Sequence, residues 1–405
     1  MARGAFSVVA AADEGAFDRL RDSIDPAWID EALEATGTAT LRRRRLPAEQ
    51  VIWLVLGMAL YRQRPIDELV ARLDLSLPGS GRSSMAKSAV AQARARLGEE
   101  PLKWLFERCS EKWAHESARR HQWRGLALYG VDGTTARVPD SKENRTYFGS
   151  QDAGSGRGVS GYPLARVVTL MALRSHIIAA AALGPYGDER PYANELWPKV
   201  PDHSLAIVDR NFLAAHILAG LTAHGSNRHW LTRATSRSTW TVVKKLGAGD
   251  ELVEMAPRHS ARAKSPDVPR VWTMRAIRYR RPGFKPQTLL TSLVDAKLFP
   301  ADELRELYHE RWEIELGYDE VKTDMLDRQE AIRSKTPKGV LQELWAIALA
   351  YNLVRLEMER IADEADVAPA RISFVMSLRL IRDEWMWAAA SNAPGAIPRN
   401  LRRLR

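Results

Sequence analysis

The sequence predicts an α/β core that is interrupted by a β insertion and preceded by a helical domain. Helical periodicity runs from the start to about residue 118 and then, near residue 124, gives way to short apolar runs. Two of those runs end in aspartate, at Asp132 and Asp209. A set of polar side chains at helical spacing follows from Tyr308 to Lys322.

With 405 residues, 45% of them hydrophobic, the chain can bury more than one core, so two or three domains are expected. Its net charge of +10 and pI near 9.7 point to a polyanionic partner. Cys109 is the sole cysteine, which excludes an intrachain disulfide and a cysteine-rich zinc site. No apolar run approaches the ~20 residues of a membrane span, Ile52 to Leu60 being too short. Asp13 and Glu14 follow the first apolar residues too soon for a signal core, so a cytoplasmic protein is expected.

Ile29 to Ala35, Pro47 to Tyr61, Pro65 to Leu73, Ser84 to Leu97 and Pro101 to Ala114 read as helices, with Pro47, Pro65 and Pro101 suited to first turns. The Pro47 helix is apolar nearly all round and should be the buried centre of a bundle. The Arg42 to Arg45 run is a solvated loop or a DNA backbone contact. Pro65 to Leu73 and Ser84 to Leu97 form either a helix-turn-helix with a long connection, Ser76 to Arg82, or plain packing helices. In the first case Lys87, Gln92, Arg94 and Arg96 would meet DNA.

Gly125 to Val131 reads as a strand ending at Asp132, with Thr135 to Pro139 as a hairpin partner. Leu164 to Leu173 and His176 to Leu183 are further strands or, given their alanine content, helices. Ser204 to Val208 ends at Asp209, and Leu213 to His224 is helical. Both aspartates thus stand where α/β sheets open their ligand crevice, although each alone fits a turn or cap equally well.

Trp240 to Val243, Glu251 to Glu254, Val271 to Arg280 and Thr288 to Val294 read as strands of a β insertion. Residues 228 to 285 carry 14 Lys and Arg against 4 Asp and Glu. With Trp230, Trp240 and Trp272 among them, this segment suits a nucleic-acid surface, the alternative being that the indoles are core. Val340 to Ile361 and Ile372 to Trp387 are amphipathic helices, and Pro398 to Arg405 is a basic arm. Gly154 to Gly161 is glycine-rich but lacks the ending of a phosphate loop, and no His-Glu-x-x-His spacing occurs.

At about 100° per residue, Tyr308, Arg311, Glu315 and Lys322 fall within roughly 60° of one another, with Trp312 and Asp319 on the same stripe. Leu307, Ile314, Tyr318, Val321 and Met325 form an apolar flank. An amphipathic helix with surface ion pairs would account for this pattern. The spacing Tyr-x2-Arg-x3-Glu-x6-Lys also resembles the signature of the insertion-sequence-4 family of DDE transposases at every residue and gap. The helical amino-terminal region is similar to that family as well.

The resemblance implies a ribonuclease-H-like, or retroviral-integrase-like, core in which Asp132, Asp209 and Glu315 are catalytic and bind two Mg²⁺ ions, with Mn²⁺ able to substitute. Hard oxygen donors suit such ions, which would activate the attacking oxygen and neutralise the phosphate. Tyr308, Arg311, Trp312, Lys322 and Arg210 are the expected DNA contacts. The protein would cut the ends of an insertion sequence and join them to target double-stranded DNA, acting as a homodimer in the DNA complex on the bacterial nucleoid. A nuclease of the same fold and a non-catalytic DNA-binding derivative are the alternatives. The expected division is 1–118 helical and a candidate for DNA binding, 119–227 first part of the core, 228–296 basic β insertion, 297–335 second part of the core with the Glu315 helix, and 336–405 carboxy-terminal helices and tail.

Overall fold

Asp25 opens the first described helix, α1 (Pro26–Ala35): its side chain accepts a hydrogen bond from the Ala27 amide at 2.9 Å, and Pro26 supplies the preset first turn. Next comes α2 (Ala48–Leu60), the apolar helix, buried along nearly its whole length. It is followed by α3 (Ile66–Arg72), α4 (Lys87–Leu97) and α5 (Glu100–Arg120), close to the predicted bounds. This computed structural model describes residues 24–39, 46–72, 86–151, 161–223, 225–265, 267–280, 283, 285–327 and 332–391. Arg42 to Arg45, the connection Ser76 to Arg82, Gly154 to Ser160 and the tail from Pro398 lie outside the described residues.

The period-2 segments then build one nine-stranded sheet in the order β3-β2-β1-β4-β5-β9-β8-β7-β6. Strand β1 (Ala127–Arg137) is followed by α6 (Lys142–Phe148), the antiparallel pair β2 (Leu164–Ala172) and β3 (Ile178–Pro185), and α7 (Glu189–Leu196). After these come β4 (Ser204–Val208), α8 (Ala215–Ala223) and β5 (Arg228–Arg233). Strand β4 lies between β1 and β5, parallel to both. The order β3-β2-β1-β4-β5 with this mixture of directions is the ribonuclease-H-like arrangement.

Strands β6 (Thr241–Gly247) and β7 (Asp250–Met255), helix α9 (His259–Lys264), and strands β8 (Trp272–Tyr279) and β9 (Gln287–Thr291) supply the insertion. Rather than forming a separate sheet, these strands extend the core sheet, because β9 pairs with β5 along Leu231↔Thr291 to Arg233↔Leu289. Trp230 and Trp272 are 1% and 8% exposed and lie against each other at 5.1 Å, so these two indoles are core and do not offer a stacking surface. Arg275 is likewise internal, its Nε donating to Asp250 at 2.6 Å.

Helix α10 (Ala301–Leu307) leads through a 3₁₀ turn, Tyr308–Arg311, into α11 (Trp312–Asp319) and then a π-helical segment, Glu320–Met325. The single helix expected from Tyr308 to Lys322 is therefore three kinds of turn. Helices α12 (Pro337–Glu364) and α13 (Phe374–Ser391) follow.

The chain divides into two compact units. One holds the described residues within Met1–Ser110, Arg137–Pro163 and Asp319–Arg405; the other is Glu111–Ala136 with Leu164–Tyr318. Division at 118 and 336 would part segments that share the first unit: a helix apolar on all sides needs partners all round, and α2 finds them in α1, α3, α4 and α12. In that unit Glu343, 1% exposed, binds Arg62 at 3.0 Å and Arg94 at 3.1 Å. Arg94, expected among the DNA contacts, is thus committed to the core, whereas Lys87, Gln92 and Arg96 are exposed.

Candidate active site

The site begins with two strands that end level with each other. Strands β1 and β4 pair in parallel from Ala127↔Ser204 to Val131↔Val208, so Asp132 and Asp209 each come one residue beyond the last pair. Neighbouring strands lie about 4.8 Å apart and residues in register share a face, which sets the two carboxylates side by side. Asp209 ends β4, and its chain turns into a 3₁₀ segment, Arg210–Phe212. Asp132 does not end its strand: β1 runs on to Arg137, so the hairpin expected at Thr135 to Pro139 does not form. Strand β2 flanks β1 on the side away from β4.

Glu315 arrives from above this face. Gly130, two residues before Asp132 and hence on the same side of β1, lies beneath α11. A Cβ there would stand 3.5 Å from Ile314 Cβ and 2.6 Å from Leu173 Cδ2. The buried Tyr318 hydroxyl donates to the backbone carbonyl of Asp132 at 2.6 Å and lies 2.8 Å from Thr169 Oγ1. Arg174 grips Glu310 at 2.9 and 3.0 Å, and His176 Nε2 is 2.8 Å from Glu313. The segment carrying Glu315 is thereby tied both to β1 and to the β2–β3 turn.

Arg311, 9% exposed, stands among the acids. One guanidinium nitrogen is 2.8 Å from Glu315 and 3.9 Å from Asp132. Burial alone would lower its pKa, but the hydrogen bond to Glu315 and the electrostatic influence of Tyr308 and Glu315 outweigh this and raise it. Burial pushes the Asp132 carboxyl up to about 6. The Gly133 amide, donating to it at 2.8 Å, and Arg311 work in the opposite direction, while Glu189 and Asp209 add to the rise.

The remaining expected contacts are distributed unevenly. Trp312 is 56% exposed beside Leu316 at 52%, and the Arg311 guanidinium lies over its ring at 4.8 Å. Tyr308 is only 7% exposed, its hydroxyl pushed up to about 12 by burial, so little of it faces solvent. Arg210 is exposed directly after Asp209. Lys322 is exposed on the π-helical segment, which belongs to the other unit, and a count of 100° per residue no longer gives its direction.

Sequence reasoning missed Glu189. Its carboxylate lies against Gly133, where a Cβ would fall 2.2 Å from Oε2, and its Oε1 accepts from Asn211 Nδ2 at 2.5 Å. No periodicity marks a carboxylate in the Gly-Asp-Glu-Arg-Pro turn as part of a site 57 residues upstream; only the sheet brings it there. Tyr318 carried a legible hint, a hydroxyl on an otherwise apolar flank.

Among the described residues no three His, Cys, Asp or Glu side chains converge as a ready metal cluster. The donor set nonetheless suits a hard divalent cation: two carboxylates level on adjacent strands, a third on a helix above, and a cation already drawn between Asp132 and Glu315.

Two family descriptions match the chain. "Insertion element 4 transposase N-terminal" matches residues 14–107, and "Transposase DDE domain", whose members work through divalent metal ions, matches residues 124–353. The transposase InsG of insertion sequence element IS4 from Escherichia coli strain K12 is 38% identical over 387 residues, spanning 95% of this chain and 86% of that protein. A chain of the piggyBac transposase synaptic complex with hairpin DNA aligns over 95% of this chain and 80% of its own length, at a TM-score of 0.45 and 12% identity.

Proposed function

Because the chain belongs to the insertion-sequence-4 family of DDE transposases, we propose that Asp132, Asp209 and Glu315 are the carboxylates with which it cuts element ends and joins them to target DNA. The observation that carries this assignment is the register Val131↔Val208, which sets two acids level at one sheet opening while Arg311 bonds to Glu315 and faces Asp132. Surface capping or ion pairing does not require such convergence.

Asp132, Asp209 and Glu315 would hold two Mg²⁺ ions, with Mn²⁺ as a substitute. When bound, divalent ions lower the pKa of an attacking water or 3′-hydroxyl and neutralise the phosphate. Tyr318 fixes the carbonyl of Asp132 and with it the height of Glu315 above the strands. Arg311 is a planar donor placed to exchange its carboxylate partner for a phosphate oxygen. Trp312 presents an open ring on which a displaced base can stack, and Arg210 and Lys322 add positive charge for the backbone. The partner is double-stranded DNA, element ends and target alike, engaged by two copies of the chain in the cytoplasm.

Strand joining separates this reading from hydrolysis alone. Pre-cut element ends bearing 3′-hydroxyls, incubated with the protein, Mg²⁺ and a target plasmid, should yield end-to-target joints. Hydrolysed DNA without joints would indicate a nuclease, and DNA bound but uncut in every condition would indicate a binding protein.

A further inference from the structure

Glu189 is a fourth carboxylate beside the three that the proposed function uses. It is the first residue of α7, and its side chain is 16% exposed. Its Oε1 accepts from Asn211, two residues after Asp209, and its Oε2 covers Gly133, the residue after Asp132. One side chain therefore bears on the segments that leave both strand ends. Gly133 lacks the Cβ that would exclude this carboxylate. Arg166 approaches Oε2 only to 4.0 Å, and its Nε donates to the Gly187 carbonyl. The charges of Glu189 and Asp209 both oppose ionisation of Asp132, while that of Arg311 favours it. Like charges that act on one another repel unless a cation stands near them. A role confined to the fold would be largely met by a neutral amide at the same position, since the amide oxygen also accepts from Asn211, though as a weaker, uncharged acceptor.

We propose that Glu189 is a positioning residue of the metal site: it holds the turns after Asp132 and Asp209 in place and contributes a fourth negative charge toward the divalent ions. The inference rests on the assignment of Asp132, Asp209 and Glu315 made above. It makes the Asp-Gly pair a unit, with the glycine serving to admit Glu189.

The test is Mn²⁺ binding, followed by electron paramagnetic resonance, to the full chain in complex with pre-cut end DNA, together with thermal unfolding of the metal-free chain. Glu189→Gln keeps the hydrogen bond to Asn211 and removes only the charge. Its Mn²⁺ affinity should fall by about 10-fold or more, the usual effect of losing an outer partner of a metal ligand. Its metal-free melting temperature should be unchanged or higher, because a repulsion with Asp132 is relieved. Glu189→Asp, which retains the charge, should recover part of the affinity. Wild-type Mn²⁺ affinity in Glu189→Gln would overturn the proposal, as would a lowered melting temperature with affinity intact, the mark of a purely structural residue. Asp132→Asn serves as the control for the underlying assignment. If it too binds Mn²⁺ normally, the assignment of the carboxylates fails, whereas a loss in Asp132→Asn alone refutes only the role of Glu189.

Discussion

Tyr318→Phe removes one oxygen atom and should separate helix placement from carboxylate chemistry. The hydroxyl donates to the Asp132 carbonyl at 2.6 Å and pairs with Thr169 at 2.8 Å, and Thr169 is 2% exposed. Without it a buried carbonyl loses its donor, which costs about 1–3 kcal/mol, while the threonine hydroxyl can turn to recover part of that loss. For a unit of this size about 1 kcal/mol corresponds to roughly 2–4 °C, so the melting temperature should drop by roughly 2–10 °C. The larger effect should fall on rate. Glu315 sits one turn before Tyr318, and a displacement of about 1 Å at reacting groups can cost on the order of 100-fold. Single-turnover cleavage of end DNA, measured well below the melting transition, should slow by about 10- to 100-fold, with the DNA dissociation constant held within twofold. A wild-type cleavage rate in a measurably destabilised variant would refute the reasoning, because the bond would then serve the fold and not the position of Glu315.

Other expectations follow from the same geometry. Trp312→Ala should impair end processing more than Trp312→Phe, by an amount consistent with about 1–3 kcal/mol for one stacked base, measured as cleavage rates on flanked ends; equal rates would exclude stacking. Lys322→Ala should flatten the slope of log affinity against log salt by about 0.9, and an unchanged slope would remove Lys322 from the phosphate contacts. Glu343→Gln should destabilise the chain by about 3–5 kcal/mol, since Arg62 and Arg94 would lose a buried carboxylate partner. Burial pushes the Glu343 pKa up, but the two arginines outweigh this and hold it below its usual range. Its contribution is therefore present above the unfolded carboxylate value and lost as pH falls through the lower folded value. Denaturant titrations from neutral to acid should show the stability gap between wild type and Glu343→Gln narrowing; a constant gap would contradict the linkage.

The sequence exposed those parts of the site that depend on local periodicity. Asp132 and Asp209 followed apolar runs, and Glu315 shared a helical stripe with Arg311, so their elements could be named without a structure. What local pattern does not encode is pairing. The register that makes Asp132 and Asp209 neighbours joins residues 77 positions apart, and Glu189 enters the site only because α7 follows β3 across the sheet. Strand β5 escaped notice because Arg228 and Arg233 frame Trp230 and Leu231, so a buried strand looks like a basic loop. Tyr308 and Lys322 show a different limit. A constant 100° step placed both on an open stripe, whereas the 3₁₀ turn before α11 and the π segment after it break that phase, leaving Tyr308 covered.

The most direct test of the three-carboxylate assignment exchanges ligand chemistry at one atom position. Asp132→Cys, Asp209→Cys and Glu315→Cys should each bind end DNA and fail to cleave it in Mg²⁺, a hard ion that a thiolate serves poorly, and each should regain measurable cleavage in Mn²⁺, which accepts sulfur more readily. Asp319→Cys, one turn beyond Glu315, should cleave in both ions. Full Mg²⁺-dependent cleavage by any of the first three variants would contradict the assignment for that residue.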